Sequence, residues 1–396
     1  MMQSVKANFT IYFVLFSFCI YITYLGNKET GMSYLLICAL FFSACTIFNK
    51  SCFFKTEVLF YLFLCLLWCF SLISNQDSFR VSTILFTSLY VISYIAYMKC
   101  LALNKFSSEN YIFFIRSIII AYFIVLLVQQ VCVLIDLPIL NVSNYQVDTP
   151  WKLNSLSVEP SHASRIIGIL MISHLFITEK MRGKKFTLMT YLRTDSVLTV
   201  ALLWILLTNG SGTAFLILSL FIFRFLSIRN SVVFLLLIII GAISVSGHES
   251  QAFERFFEFF KSALTMDKQQ MIIADHSASV RVVPFLIAFD KLSLFSLNGF
   301  IGNGVDFTKG FMSLEFPGVK DDFTGGGMLS FALEYGWPLC LLFLYLTFKK
   351  MVILNEPVTI ILWFIMVMLS GINTSLLWFS MFIFSTTKYF YNNSYD

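Results

Sequence analysis

Glu159, His162 and Arg165 fall at intervals of three residues in the segment Ser157-Val158-Glu159-Pro160-Ser161-His162-Ala163-Ser164-Arg165. On a helix that spacing puts an acid, a titratable imidazole and a permanent cation on one broad face. Together they could hold an anion or a sugar and move a proton beside it. The segment opens an apolar run, where ionisable groups are costly and usually functional. Pro160 suits the first turn of a helix, because its missing N–H has no partner to lose there. Glu159 precedes it at the positive end of the helix dipole. A capped helix end closed by a Glu–Arg pair accounts for the same residues, and both readings stand at this point.

Other segments carry polar chemistry. His276-Ser277-Ala278-Ser279-Val280-Arg281 runs into Val282-Val283-Pro284 and an apolar stretch to Phe289. Ser277 or Ser279 could cap a helix there. Arg281 offers a guanidinium suited to bidentate phosphate recognition, or it is a solvated loop arginine. Gly299-Phe300-Ile301-Gly302-Asn303-Gly304 has the glycine density of a turn or a close backbone approach. It lacks the strand-to-helix context of a dinucleotide fingerprint. Asn209-Gly210-Ser211-Gly212-Thr213 is either a helical hairpin turn or a set of N–H groups able to hold an anion. Glu334-Tyr335-Gly336-Trp337-Pro338 puts a carboxylate inside an apolar segment, after the junction Gly325-Gly326-Gly327. A packing Glu tied to a nearby Arg or Ser is the alternative.

The elements that must position these groups are membrane spans. Of 396 residues, 58% are hydrophobic and 12% charged, against about 25% charged in soluble domains. The apolar residues come in blocks near the ~20 residues that cross a bilayer as helix. No alternating segments of a β-barrel are visible. The expected fold is all-α and polytopic, a single multi-pass membrane domain over residues 1–396, with about twelve spans. They cover 9–25, 32–48, 57–73, 79–98, 111–135, 160–178, 190–208, 212–227, 231–246, 327–348, 357–371 and 373–391. Arg193 and Asp195 shorten the seventh. With a cytoplasmic N-terminus, the inner loops carry most of the Lys and Arg, including Lys55, Lys99, Lys180, Lys184, Lys185, Arg224, Lys349 and Lys350. The short outer loops carry Lys28, Arg80 and Lys152. This bias orients the chain with both termini inside.

The 136–160 loop, the Asn209–Thr213 turn and a long loop over 247–325 then face outward. In the long loop, Phe253, Phe256, Phe257 and Phe260 recur at helical spacing, as in a helix lying on a membrane face. The first span has no small-residue cleavage site after it and is expected to stay as an anchor. The nine cysteines sit mainly in or beside spans, which suits packing more than disulfides or metal ligation. The net charge of +5 reflects the inner loops and gives no reason to expect nucleic acid. No internal repeat of the transporter kind is visible. No Walker loop, HExxH or metal-binding acidic pair appears, and the cytoplasmic loops are too short for a soluble catalytic domain.

In the order of these motifs the chain resembles the bacterial O-antigen polymerase family, with its related ligases and its capsule and exopolysaccharide polymerases. The resemblance rests on Glu159-Pro160-Ser161 opening a middle span and on the Gly/Ser turn from Asn209 to Thr213. It continues through Ser277 to Arg281 in the long loop, Gly302 to Gly304, and Glu334 to Gly336 in the next span. Its implied fold is a glycosyltransferase C-like membrane bundle. Its implied reaction is transfer of a growing glycan from undecaprenyl diphosphate to a lipid-linked repeat unit, outside the bacterial inner membrane. No cofactor, nucleotide or obligate metal is needed. The partners are undecaprenyl-diphosphate-linked oligosaccharides, membrane lipid and, by analogy, a chain-length regulator.

Under that resemblance Arg165 and Arg281 would hold the diphosphate. Glu159 and His162 are the candidates to receive the acceptor's proton. Ser161, Ser277, His276, Asp275 and Glu334 are secondary candidates. Ligases of the superfamily carry a His-Asn pair where this chain has Gly325-Gly326, which favours a polymerase. A flippase for lipid-linked glycans, a ligase, or an acyltransferase built on His174 are the rival readings.

Overall fold

A backbone in an apolar medium must satisfy its own N–H and C=O groups, and a helix does so within one segment. The computed structural model describes residues 2–26, 33–46, 55–74, 80–103, 106–142, 150–209, 212–225, 258–259, 261–274, 276–316 and 325–393. Among them the ordered elements are helices, with one isolated bridge between Gly26 and Ser33. They are α1 (Met2–Cys19), α2 (Tyr34–Thr46), α3 (Lys55–Ser74), α4 (Val81–Leu103), α5 (Ser108–Leu134), α6 (Pro160–Met181), α7 (Leu188–Thr194), α8 (Ser196–Thr208) and α9 (Gly212–Phe223). Then follow α10 (Lys268–Ala274), α11 (His276–Lys291), α12 (Leu297–Ile301), α13 (Phe307–Glu315), α14 (Gly327–Tyr335), α15 (Trp337–Met351), α16 (Pro357–Trp363), a π-helical turn Phe364–Met368, and α17 (Ser375–Asn393).

Four described stretches are long and apolar enough to cross a membrane: Glu57–Ser74 within α3, and α4, α5 and α6. A fifth is the pair α7 and α8, bent by 109°. Asp195 makes that break. Its carboxylate caps α8 by accepting from the Leu198 N–H at 3.2 Å and pairs with Arg116 at 3.3 Å. The seventh span is therefore not one straight helix from 190 to 208. The tenth is also broken, because Gly336 takes φ 87° between α14 and α15. The ninth, 231–246, lies outside the described residues, as do most of the Phe-rich segment 251–261, Asp275, Gly210 and Ser211.

The central packing is α6 against α17, with α4 and α5 alongside. Buried hydroxyls join these helices: Tyr94 to Ser385 at 2.7 Å, Tyr97 to Thr386 at 2.6 Å, and Ser173 to Thr387 at 2.6 Å. Interhelical hydrogen bonds of this type add cohesion where all surroundings are apolar. Tyr90 stacks flat on the buried Trp378 at 5.3 Å. The described part of the long loop is itself helical. Met271, Val283, Ile287, Ala288, Met312 and Phe316 form a small second core that takes in Leu333 of α14. This core fastens the loop to the bundle.

At one end of the bundle, charges pair across helix termini. Lys99 and Glu57 join α4 to α3 at 3.1 Å, both buried. Arg224 bridges Glu179 at 2.9 Å and Glu356 at 3.0 Å, and Lys185 meets Glu356 at 2.9 Å. These lie at the C-terminal ends of α4, α6 and α9 and the N-terminal ends of α3 and α16.

Candidate functional site

The N-terminus of α6 lies at the other end of that helix. The chain reaches it through a bonded polar network. Gln129 donates to the Leu140 carbonyl and accepts from the Ser155 N–H. Asn141 accepts from Thr23 and donates to the Tyr21 and Ser155 carbonyls. Asn154 donates to the Asn141 and Ser157 carbonyls. Asn141 and Ser155 take left-handed backbones, φ 56° and 51°, a conformation that local hydrogen bonding helps sustain. Segment 153–158 is thereby tied to the ends of α1 and α5, and this sets the direction from which Glu159 meets the helix.

Glu159 occupies the N-cap position of α6, yet its side chain makes no capping hydrogen bond. Its carboxylate instead accepts from the Ser161 hydroxyl and lies 3.5 Å from His162 Nε2. Arg165 folds back on the same turn, donating to the Ser161 carbonyl at 3.3 Å and to its hydroxyl at 3.4 Å. Ser161 therefore links the acid to the cation. Asn209 donates to the Pro160 carbonyl at 3.2 Å and to the Ser164 hydroxyl at 2.6 Å, and Thr213 donates to the Ser161 carbonyl. Asn209 and Thr213 thus brace the first turn of α6. His162 and Ile166 line a cavity of ≈ 300 Å³ with the ends of α1 and α17, Tyr90 and Phe86.

Glu334 stands at the C-terminal end of α14, where the last carbonyls lack partners within the helix. Asn303 and Gly304 supply them. The Asn303 N–H and side-chain amide donate to the Leu333 carbonyl at 2.8 and 3.0 Å, and the Gly304 N–H donates to the Glu334 carbonyl at 3.1 Å. Gly302 and Gly336 both have positive φ, and a Cβ on either would run into backbone of the other segment. The two glycine motifs are one docking contact, which answers the choice between a plain turn and a close approach.

The Glu334 side chain is buried. One carboxylate oxygen accepts from the Thr308 N–H at 3.2 Å and from the Thr308 hydroxyl. Its neighbour Asp306 pairs with Lys309 at 2.8 Å and lies 3.8 Å from Arg80. Glu334, Thr308, Asp306 and Lys309 line a second cavity of ≈ 440 Å³ with Thr83, Ser330, Phe331 and the link Gly371 to Thr374. Phe86, Asn373 and Thr374 line both cavities. The two are neighbours, so His162 of the α6 end and Glu334 of the α14 end stand beside adjoining spaces.

Asp306, Thr308, Lys309, Asn373 and Thr374 line this region without being among the residues the sequence singles out. Asp306 was detectable in principle as an acid just after the Gly302–Gly304 pair, whereas Asn373 and Thr374 carry no charge or motif. α11 begins at His276, so Ser277 and Ser279 lie inside its first turns and not at its cap. α11 packs on α14, with the Pro284 carbonyl against Gly326. The side chains of His276, Ser277 and Arg281 lie outside the described residues. His174 is buried, its Nδ1 3.0 Å from the Tyr191 hydroxyl, so its described partner is a tyrosine and not the acid an acyltransferase would want. Among the described residues no cluster of three metal-ligating side chains occurs. Searches of known proteins return no matching family model, no similar characterised protein and no similar solved structure.

Proposed function

We propose that this chain is a polytopic membrane glycosyltransferase of about twelve spans that lengthens a lipid-linked glycan on the outer face of the bacterial cytoplasmic membrane. The donor is a growing glycan on undecaprenyl diphosphate and the acceptor a repeat unit on the same carrier. The observation that carries this reading is the shared wall of the two cavities. Phe86, Asn373 and Thr374 join the space beside His162 to the space beside Glu334, as a two-substrate reaction requires.

Arg165 is the diphosphate ligand at the α6 end. A half-buried guanidinium there holds phosphate oxygens by charge-assisted hydrogen bonds and stabilises the leaving group. The positive end of the α6 dipole adds to this. Arg281 is the second cation. Glu159 and His162, 3.5 Å apart, are the proton-handling pair at the donor side. The ligase reading gains nothing at Gly326, where φ is 95° and a Cβ would strike Ser330 and the Pro284 carbonyl; that place serves helix docking.

The test is deletion in the source organism and complementation with Arg165→Ala, read by gel analysis of surface glycan. A polymerase loss leaves single repeat units attached. A ligase loss leaves none attached, and a flippase loss traps units inside. Wild-type chain length in Arg165→Ala, at normal protein level, overturns the assignment.

A further inference from the structure

The ≈ 440 Å³ cavity is within the ~300–1,000 Å³ usual for small-molecule sites. Its built feature is Glu334, 8% exposed overall. Thr308 holds one carboxylate oxygen with two donors. Among the described residues the other oxygen accepts no hydrogen bond from the protein, yet it is not sealed off in the core. A carboxylate in such a place asks for a donor from outside the protein. The rest of the wall includes hydroxyl and amide groups and two aromatic rings, from Thr83, Ser330, Asn373, Phe86 and Phe331, beside Ile372 and the paired Asp306 and Lys309. Asp306 is already matched by Lys309 and Arg80, so the cavity does not select a cation. Hydroxyl donors for a buried acceptor, and apolar ring faces for phenylalanines, together describe a neutral sugar.

We infer that this cavity is the acceptor-sugar subsite and that Glu334 receives the proton of the attacking hydroxyl. The inference rests on the polymerase reading above and moves the proton acceptor from the Glu159–His162 pair to the far side of the shared wall. The hydroxyl oxygen bonds to the anomeric carbon of the donor. The bond from that carbon to the diphosphate oxygen breaks, and its electron pair leaves with the diphosphate. The hydroxyl proton passes to the open oxygen of Glu334. Thr308 is a positioning residue that keeps that oxygen turned to the cavity.

Two variants test this at matched protein level in the membrane. Glu334→Gln preserves an oxygen for Thr308 and removes the proton acceptor. Ser82→Trp fills the cavity from an exposed rim position. The probe is the oligosaccharide released by mild acid from the single-repeat lipid of a deletion strain, added to the purified full chain in nanodiscs. Both variants should leave single repeats on the surface. Loss of a hydrogen bond to a charged group should weaken oligosaccharide binding about tenfold in Glu334→Gln, and Ser82→Trp should abolish it. Arg165→Ala should lose polymer and keep binding. If Arg165→Ala loses polymer but Glu334→Gln keeps wild-type chain length, Glu334 takes no proton and the inference falls alone. If wild-type protein does not bind the oligosaccharide, or Ser82→Trp binds it normally, the subsite falls. If Glu334→Gln does not reach the membrane, Ser82→Trp and the binding measurement decide. Binding confined to this cavity in a protein whose deletion leaves polymer intact overturns the polymerase reading instead.

Discussion

Arg165 and Ser161 make the first turn of α6 a unit, because the Ser161 hydroxyl touches both Glu159 and Arg165. Ser161→Ala should therefore loosen the acid and the cation of the proposed site at once. Losing one net hydrogen bond costs about 1 kcal/mol, so elongation should slow roughly fivefold without changing protein level, seen as shorter chains on a gel. Arg165→Lys should recover little of the activity lost in Arg165→Ala, since a lysine cannot present two parallel N–H donors to phosphate. Restoration of full chain length by lysine would show that only charge matters there. The charged members of this cluster were legible in the sequence because charge stands out in an apolar run. Their partners were not. Asn209 braces Pro160 across 49 positions of chain, and Asn373 enters both cavities through a three-dimensional fold that no local spacing encodes.

At the scale of elements, the breaks matter more than the helices. A run of apolar residues predicts a span but hides where it bends. Asp195 gave a visible cue as an acid between apolar blocks, and it caps α8. Gly336 gave a weaker one, because the group that leaves no room for a side chain there is the Phe300 carbonyl on a helix distant in sequence. This contact fixes the end of α14 and so the place of Glu334. Gly336→Ala and Gly302→Ala should each combine a collision with backbone strain of about 1–3 kcal/mol. Both should lower the melting temperature of the detergent-purified protein and remove polymer. Gly310→Ala is the contrast. Gly310 lies within α13 with nothing within 4 Å of an added Cβ, and alanine is favoured there by up to about 1 kcal/mol. Its melting temperature should be equal or higher. Equal behaviour of the three variants would remove the docking argument.

At the scale of the molecule, the two ends of the bundle differ in kind. One end ties helices together by buried ion pairs, in which Arg224 separates Glu179 from Glu356. Arg224→Met would leave the buried Glu179 without its cation and Glu356 with Lys185 alone, which should destabilise the protein by about 3–5 kcal/mol and deplete it from the membrane. The other end holds the cavities. The Lys and Arg bias in the sequence puts the ends of α3, α4 and α6 that carry these ion pairs on one expected side, the inner one. Charge counting could not say that the opposite ends enclose adjoining spaces. The orientation itself is open to direct measurement. Trp151 lies before the N-terminus of α6 and Lys184 just after its C-terminus, both exposed. They flank a helix of 22 residues, or about 33 Å at 1.5 Å per residue, enough to cross the hydrocarbon layer. In spheroplasts, a membrane-impermeant maleimide should label Trp151→Cys above the native thiol background. Lys184→Cys should be labelled only after the cells are opened. The reverse pattern would put Arg165 and both cavities on the cytoplasmic side, where a flipped lipid-linked glycan is not presented, and polymerisation at this site would then be ruled out.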